Sequence, residues 1–244
     1  MSRTAVSLEK VGTGLGLVYA GLCLTVFAIV FVPLLGGLVA GPANLRTVFI
    51  VAGLLMVSGI VLDMVGRLFC LAMPAEHSGA KTIILLAVIF ALIALALSLA
   101  GLAQFFIAGF FLPPALTLAQ TPLSITGSVL FVIFLRMVAL YIRREDLARR
   151  AIVVLTLGGV LLALLMGIFA MAFLGVLRGV QGGVAPVGGA AAGVGALGLV
   201  TLVVGLVELV LYGNLLTYLR KACHEEAVTL LKIDNSVGPD RETE

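Results

Sequence analysis

Between Lys81 and Arg136 the chain runs for 54 residues without a formal charge. A helix rises about 1.5 Å per residue, so about 20 apolar residues cross the ~30 Å hydrocarbon layer of a bilayer. The stretch is too long for one crossing. Pro113, Pro114 and Pro122 divide it, because proline lacks the N–H that a helix interior needs. Two helices are expected, near 82–110 and 122–142.

The same rule applied along the chain places further spans at about 14–38, 46–71, 151–177 and 197–219. With 62% hydrophobic residues, 11% charged and a mean hydropathy of +1.27, too few polar side chains remain to cover a water-soluble core of this size. Continuous apolar runs are also unlike barrel strands, which alternate over about 10 residues. The expected fold is therefore all-α, a polytopic bundle of six transmembrane helices spanning 14–219. A short cytoplasmic segment, 1–13, precedes it. In the tail, 220–244, residues up to Ile233 read as an amphipathic surface helix carrying Ala222, Ala227, Leu230 and Leu231, and Asp234–Glu244 as disordered.

The 15 Lys and Arg test this map. An even number of spans leaves both termini on one side, which receives 13 basic residues, while the other receives only Arg46 and Arg178. Basic residues accumulate on the cytoplasmic side, so the split predicts an N-in, C-in orientation in a cytoplasmic (inner) membrane. Tyr141 and Tyr218 fall at inner span ends, where a phenol holds its ring in hydrocarbon and its hydroxyl at the headgroups. The net charge of +3 follows from topology and gives no nucleic-acid footprint.

Met1–Lys10 does not read as a cleavable signal, since the apolar run behind it is too long for a signal core. Cys23 falls within span one and Cys70 and Cys223 at the inner face, which predicts reduced thiols and no disulfide framework. The charged turn Ile142–Arg150 reads as an anchor for two helix ends at anionic headgroups. Gly193–Gly198 matches G-x-G-x-x-G by letter, but it leads into a span and follows no strand, so it reads as chance. Gly175, Gly179, Gly183, Gly189 and Gly193 are spaced for close helix packing, within the chain or with a membrane partner or second copy.

Glu208 stands out among the residues able to carry chemistry. It falls at the centre of span six with no charge within ten residues on either side. A central charge costs about 2.5–3.5 kcal/mol on insertion scales, and protonating an ordinary Glu at pH 7 costs about 3.7 kcal/mol. The two are comparable, so a neutral acid and a paired carboxylate are both open. Arg136 and Arg67 are its candidate partners, and Tyr212 and Asn214 its candidate hydrogen-bond donors. Asp63 and Arg67, four residues apart on span two, share a helix face and are expected to pair. Gln104 is expected to bond between helices.

His77 and His224 both lie at or beyond the inner face, which excludes a bis-histidine haem or a Ser–His hydrolase inside the bundle. A single buried Asp excludes a two-aspartate intramembrane protease. No metal or cofactor motif is present, and no catalytic residue is expected. The residues favour a non-enzymatic membrane protein, a scaffold or accessory subunit whose partners are the bilayer and other membrane proteins. The alternative is a small secondary transporter or channel using Glu208.

Overall fold

The computed structural model describes residues 3–28, 45–74, 78–103, 113–180 and 187–237. Six α-helices account for nearly all of them: α1 (Arg3–Val26), α2 (Leu45–Cys70), α3 (Ser78–Ala103), α4 (Pro114–Tyr141), α5 (Glu145–Val180) and α6 (Val187–Val237). The described residues contain no strand. In hydrocarbon no water is available to backbone groups, so an apolar chain satisfies them within helices. Helices α2 to α6 are each long and apolar enough to cross a membrane. The protein is therefore a membrane-spanning helical bundle. The described part of α1 still carries Arg3, Glu9 and Lys10, and residues 29–38, the outer part of the expected first span, lie outside the described residues.

Several boundaries differ from expectation. Helix α1 starts at Arg3 rather than near 14, so most of the expected cytoplasmic segment 1–13 is helical, and α6 starts at Val187 rather than near 197. Helix α4 begins at Pro114, eight residues before the expected start, and Pro122 sits inside it. Pro114 occupies a first-turn position, where the missing N–H is unpaired anyway. The single bond lost at Pro122 is tolerated in membrane helices because neighbours compensate for it. Helix α5 starts at Glu145 rather than near 151, with Glu145 and Asp146 in its first turn, where the helix dipole favours acids. Helix α6 does not end at 219. It runs on through Asp234 to Val237 as one 51-residue helix, replacing the separate surface helix and part of the expected disordered tail. Ala222, Cys223 and Ala227 are buried against the bundle, which holds this extension in place.

The α4–α5 connection shows how tightly the chain reverses. Arg144 N–H donates to the Ala139 carbonyl at 2.9 Å and Arg143 N–H to the Leu140 carbonyl at 3.1 Å, a Schellman closure. Arg143 takes the left-handed conformation this requires, with φ 56°. For a non-glycine residue that costs about 1–2 kcal/mol. The charges of this turn reach α6. Arg144 pairs with Glu225 at 3.2 Å, and the Arg150 guanidinium lies 5.0 Å from the centre of the Tyr218 ring. The Arg144–Glu225 pair is half exposed and worth at most about 1 kcal/mol. It serves to hold the α6 extension over the turn.

Laterally the helices form a ring in the order α2, α1, α6, α5, α4, α3, with only slight contact where α3 meets α2 again. Glycine sets the closest approach in it. A Cβ on Gly14 would lie 2.5 Å from the Gly66 carbonyl oxygen, and one on Gly21 would lie 2.5 Å from that of Gly59. Gly14 and Gly21 are seven residues apart on α1, as Gly59 and Gly66 are on α2, so two antiparallel helices touch backbone to backbone at both levels. The start of α1 and the second half of α6 lie side by side, both contributing to one groove (Glu9, Gly12, Arg220, His224). This is the charged end of the bundle. Towards it the interior is filled by fully buried Leu15, Phe131, Phe134, Leu135, Leu215 and Leu216.

Candidate functional site

Beyond that apolar plug the helices line a half-open cavity of about 400 Å³. Every helix but α3 lines it: Thr25 from α1, Asp63 and Arg67 from α2, Ser128 from α4, Val154 from α5, and Glu208 with Tyr212 from α6. Four of the six expected polar residues, Glu208, Asp63, Arg67 and Tyr212, thus share one space.

Asp63 and Arg67 pair within α2 at 2.9 Å, with side chains 28% and 11% exposed. The guanidinium lies 4.8 Å from the centre of the Phe131 ring, a distance at which the ring face attracts a cation. Arg67 is 9% exposed, and its buried Nε has no hydrogen-bond partner among the described residues. Glu208 is half-buried, and among the described residues it makes no ion pair and no hydrogen bond. Its carboxylate lies over Gly158 of α5, where a Cβ would approach Oε1 to 2.8 Å. The missing side chain of Gly158 makes room for the acid. Helix α5 thus contributes no polar partner to Glu208, only space.

The expected partnerships of Glu208 do not form. Tyr212 lines the same cavity but makes no hydrogen bond to it. Arg136 is exposed and lies outside the cavity. Successive residues turn by about 100°, which puts Arg136 roughly 140° round α4 from buried Phe131 and on the far side from the interior. Asn214 lies roughly 120° round α6 from Glu208 by the same count. It lines a separate groove between α1 and α6 with Tyr19 and Cys23. Gln104 is outside the described residues. A different interhelical bond stands nearby, Gln120 Nε2 donating to Ser98 Oγ at 2.7 Å.

Thr25, Ser128 and Gly158 were not singled out from the sequence. Each is an ordinary residue of an apolar helix, and only the ring order brings it to Asp63 or Glu208. Among the described residues no three His, Cys, Asp or Glu side chains gather closely enough to share a metal ion. The three cysteines are free, with Cys70 and Cys223 buried and Cys23 exposed. The chemistry open to the site is that of one unpaired carboxylate beside a fixed ion pair: exchange of a proton, or coordination of a small cation by Glu208, the hydroxyls and water. Comparison with family models, with curated proteins and with solved structures finds no match to this chain.

Proposed function

We propose that this protein is a non-enzymatic six-span carrier or channel, N-in and C-in in a cytoplasmic (inner) membrane, that moves a proton or a small cation by way of Glu208. The observation that carries this reading is the cavity that sets an unpartnered carboxylate beside the Asp63–Arg67 pair in the middle of the bundle. A purely structural Glu is expected to be bonded, because an isolated polar group in hydrocarbon is costly. A transport group must instead be free to take up and release its cargo. The fixed pair neutralises itself, so once Glu208 has released its proton the cavity carries an excess of negative charge that suits a proton or a small cation.

The six-span topology is supported by the 13 to 2 distribution of basic residues and by the packing of α1 between α2 and α6. A cysteine at position 240 should label only from the cytoplasmic side and one at 185 only from outside. External labelling at 240 contradicts the orientation.

Proteoliposomes loaded with a pH dye, and assayed against a panel of monovalent and divalent cations, test the function directly. The wild type should dissipate a pH or cation gradient. Glu208→Gln keeps the shape of the side chain but removes the titratable charge, and should lower the flux at least tenfold with the protein still folded. Equal flux in the two, or none in the wild type, returns the chain to the reading as a scaffold or accessory subunit. Under that reading, the glycines of α5 with open space around them, Gly159 and Gly167, are where a partner helix or a second copy would approach.

A further inference from the structure

The seam between α1 and α6 carries two grooves that lie in line along it. One, of about 490 Å³, is polar: Glu9 and Thr13 of α1 face Thr217, Arg220, Lys221 and His224 of α6. The other, of about 360 Å³, is mainly apolar and runs between Leu22, Val26 and Phe27 of α1 and Leu209 and Val210 of α6. Leu22 and Leu209 form the wall it shares with the Glu208 cavity. Glycine contacts fix the order of the two grooves. A Cβ on Gly12 would lie 3.5 Å from the Arg220 carbonyl oxygen, one on Gly16 3.3 Å from the Arg220 guanidinium, and one on Gly213 3.2 Å from the Tyr19 ring. The two helices therefore run antiparallel in a defined register. The polar groove lies at residues 9–13 of α1, the Arg220 guanidinium at Gly16, and the apolar groove from Tyr19 to Phe27.

The polar groove has the chemistry of an anion site. Arg220 is exposed and, among the described residues, makes no ion pair and no hydrogen bond, although Glu9 lines the same groove. Glu225 holds Arg144 at 3.2 Å and approaches Lys221 only to 4.0 Å. Arg220 and Lys221 against Glu9 thus leave the groove with an excess of positive charge, and the His224 ring adds a donor. A guanidinium meets phosphate oxygens through two parallel N–H groups, so Arg220 is the strongest phosphate ligand of the set. Thr13 and Thr217 give their hydroxyl protons to the Glu9 and Gly213 carbonyls, at 3.0 and 2.9 Å. Their oxygens and the Glu9 carboxylate are left to accept hydrogen bonds from hydroxyls. Length favours a lipid over a free phosphate. From Gly16 to Phe27 the helix rises about 16 Å, close to the ~15 Å of hydrocarbon in one leaflet. An acyl chain below a phosphate at Arg220 would run the length of the apolar groove.

We propose that the α1–α6 seam holds one anionic phospholipid of the leaflet at the charged end. Its phosphodiester sits on Arg220 and Lys221, its headgroup hydroxyls meet Thr13, Thr217 and Glu9, and one acyl chain lies along Leu22, Val26 and Val210. Basic pockets between transmembrane helices take lipid headgroups in this way. The site is separate from the transport reading and stands or falls without it.

Full-length protein in a mild detergent is offered equal amounts of dioleoyl phosphatidylglycerol and dioleoyl phosphatidylcholine, and retained lipid is weighed by native mass spectrometry. One phosphatidylglycerol should be retained, at least tenfold over phosphatidylcholine. Each basic residue at a headgroup contributes about fivefold, so Arg220→Gln with Lys221→Gln should lower that retention at least tenfold. Arg149→Gln with Lys232→Gln removes the same charge from the same end of the bundle, outside both grooves, and should change retention less than twofold. Cys23→Phe puts a ring into the apolar groove, leaves every charge in place and should lower retention at least threefold. All variants are compared at matched helicity. Equal loss in the two charge-removing variants would mean general attraction to a basic surface and overturns the site. Displacement by millimolar glycerol 3-phosphate, with no effect of Cys23→Phe, would make it a free-phosphate site and overturns the lipid. A dimer that retains no lipid also overturns it, since a second copy then covers the seam.

Discussion

Gly21→Ala should destabilise the protein by about 1–3 kcal/mol, whereas Gly159→Ala should leave stability unchanged or raise it slightly. The intrinsic preference runs the other way for the first site, since alanine favours a helix over glycine by about 1 kcal/mol. Packing decides the sign. A Cβ on Gly21 would lie 2.5 Å from the Gly59 carbonyl oxygen and 2.7 Å from the Asp63 backbone nitrogen. Both are backbone atoms of α2, so no side chain can swing aside and the two helices must separate. Overpacking of this kind costs about 1–3 kcal/mol. At Gly159 nothing lies within 4 Å. Because Asp63 sits on the wall that Gly21 touches, Gly21→Ala should also disturb the cavity. Heating the detergent-solubilised variants and measuring helicity, or the fraction that stays monodisperse, checks the prediction. The chain has no Trp, so intrinsic indole fluorescence is not an option. Equal stability of the two alanine variants would show that α1 and α2 do not meet at their glycines.

That contact also shows where sequence reading reaches and where it stops. The existence of the helices was legible, because apolar run length in lipid is nearly a sufficient signal. The end of α2 at Cys70 came within one residue of expectation. The Asp63–Arg67 pair was legible for the same kind of reason, since four residues along one helix fix their relation without knowledge of any other helix. What depended on two helices was not. Gly14, Gly21, Gly59 and Gly66 carry a seven-residue spacing that is visible in the sequence, but it acquires meaning only once α1 and α2 are known to run antiparallel in register. The glycines around 175–193 show a comparable small-residue spacing, and of these Gly183 lies outside the described residues. By span count Arg136 lies only a turn or two nearer the inner face than Glu208, within reach of a long side chain, but its rotation is wrong, and depth is all that a span count supplies. Rules for water make Pro122 a boundary, because an open carbonyl there frays a helix. In the bundle it is an interior residue of α4.

The second large effect concerns the ion pair. Asp63→Asn should destabilise the protein by about 3 kcal/mol, and adding Arg67→Gln should restore part of that loss. Breaking a buried pair from one side leaves an uncompensated charge, at a cost of about 3–5 kcal/mol, while removing both partners is often nearly neutral. Asp63 borders the cavity and is 28% exposed, which screens the charge and places the expected value at the lower end of that range. The two single variants should differ. Arg67→Gln leaves a carboxylate, which can lose its charge by binding a proton. Asp63→Asn leaves a guanidinium, which cannot release one, so Asp63→Asn is the more damaging single change. Phe131 offers that guanidinium its ring face, at 4.8 Å, and Nε is already without a partner among the described residues. A thermal-stability cycle over the four proteins should give a coupling energy of about 1–3 kcal/mol. Additivity within 0.5 kcal/mol, the scatter of independent sites, would mean that the 2.9 Å contact holds no net energy. The flux assay separates this role from that of Glu208. If the pair only fixes the shape of the cavity, the double variant should keep most of the wild-type flux, whereas Glu208→Gln loses it with little change in stability.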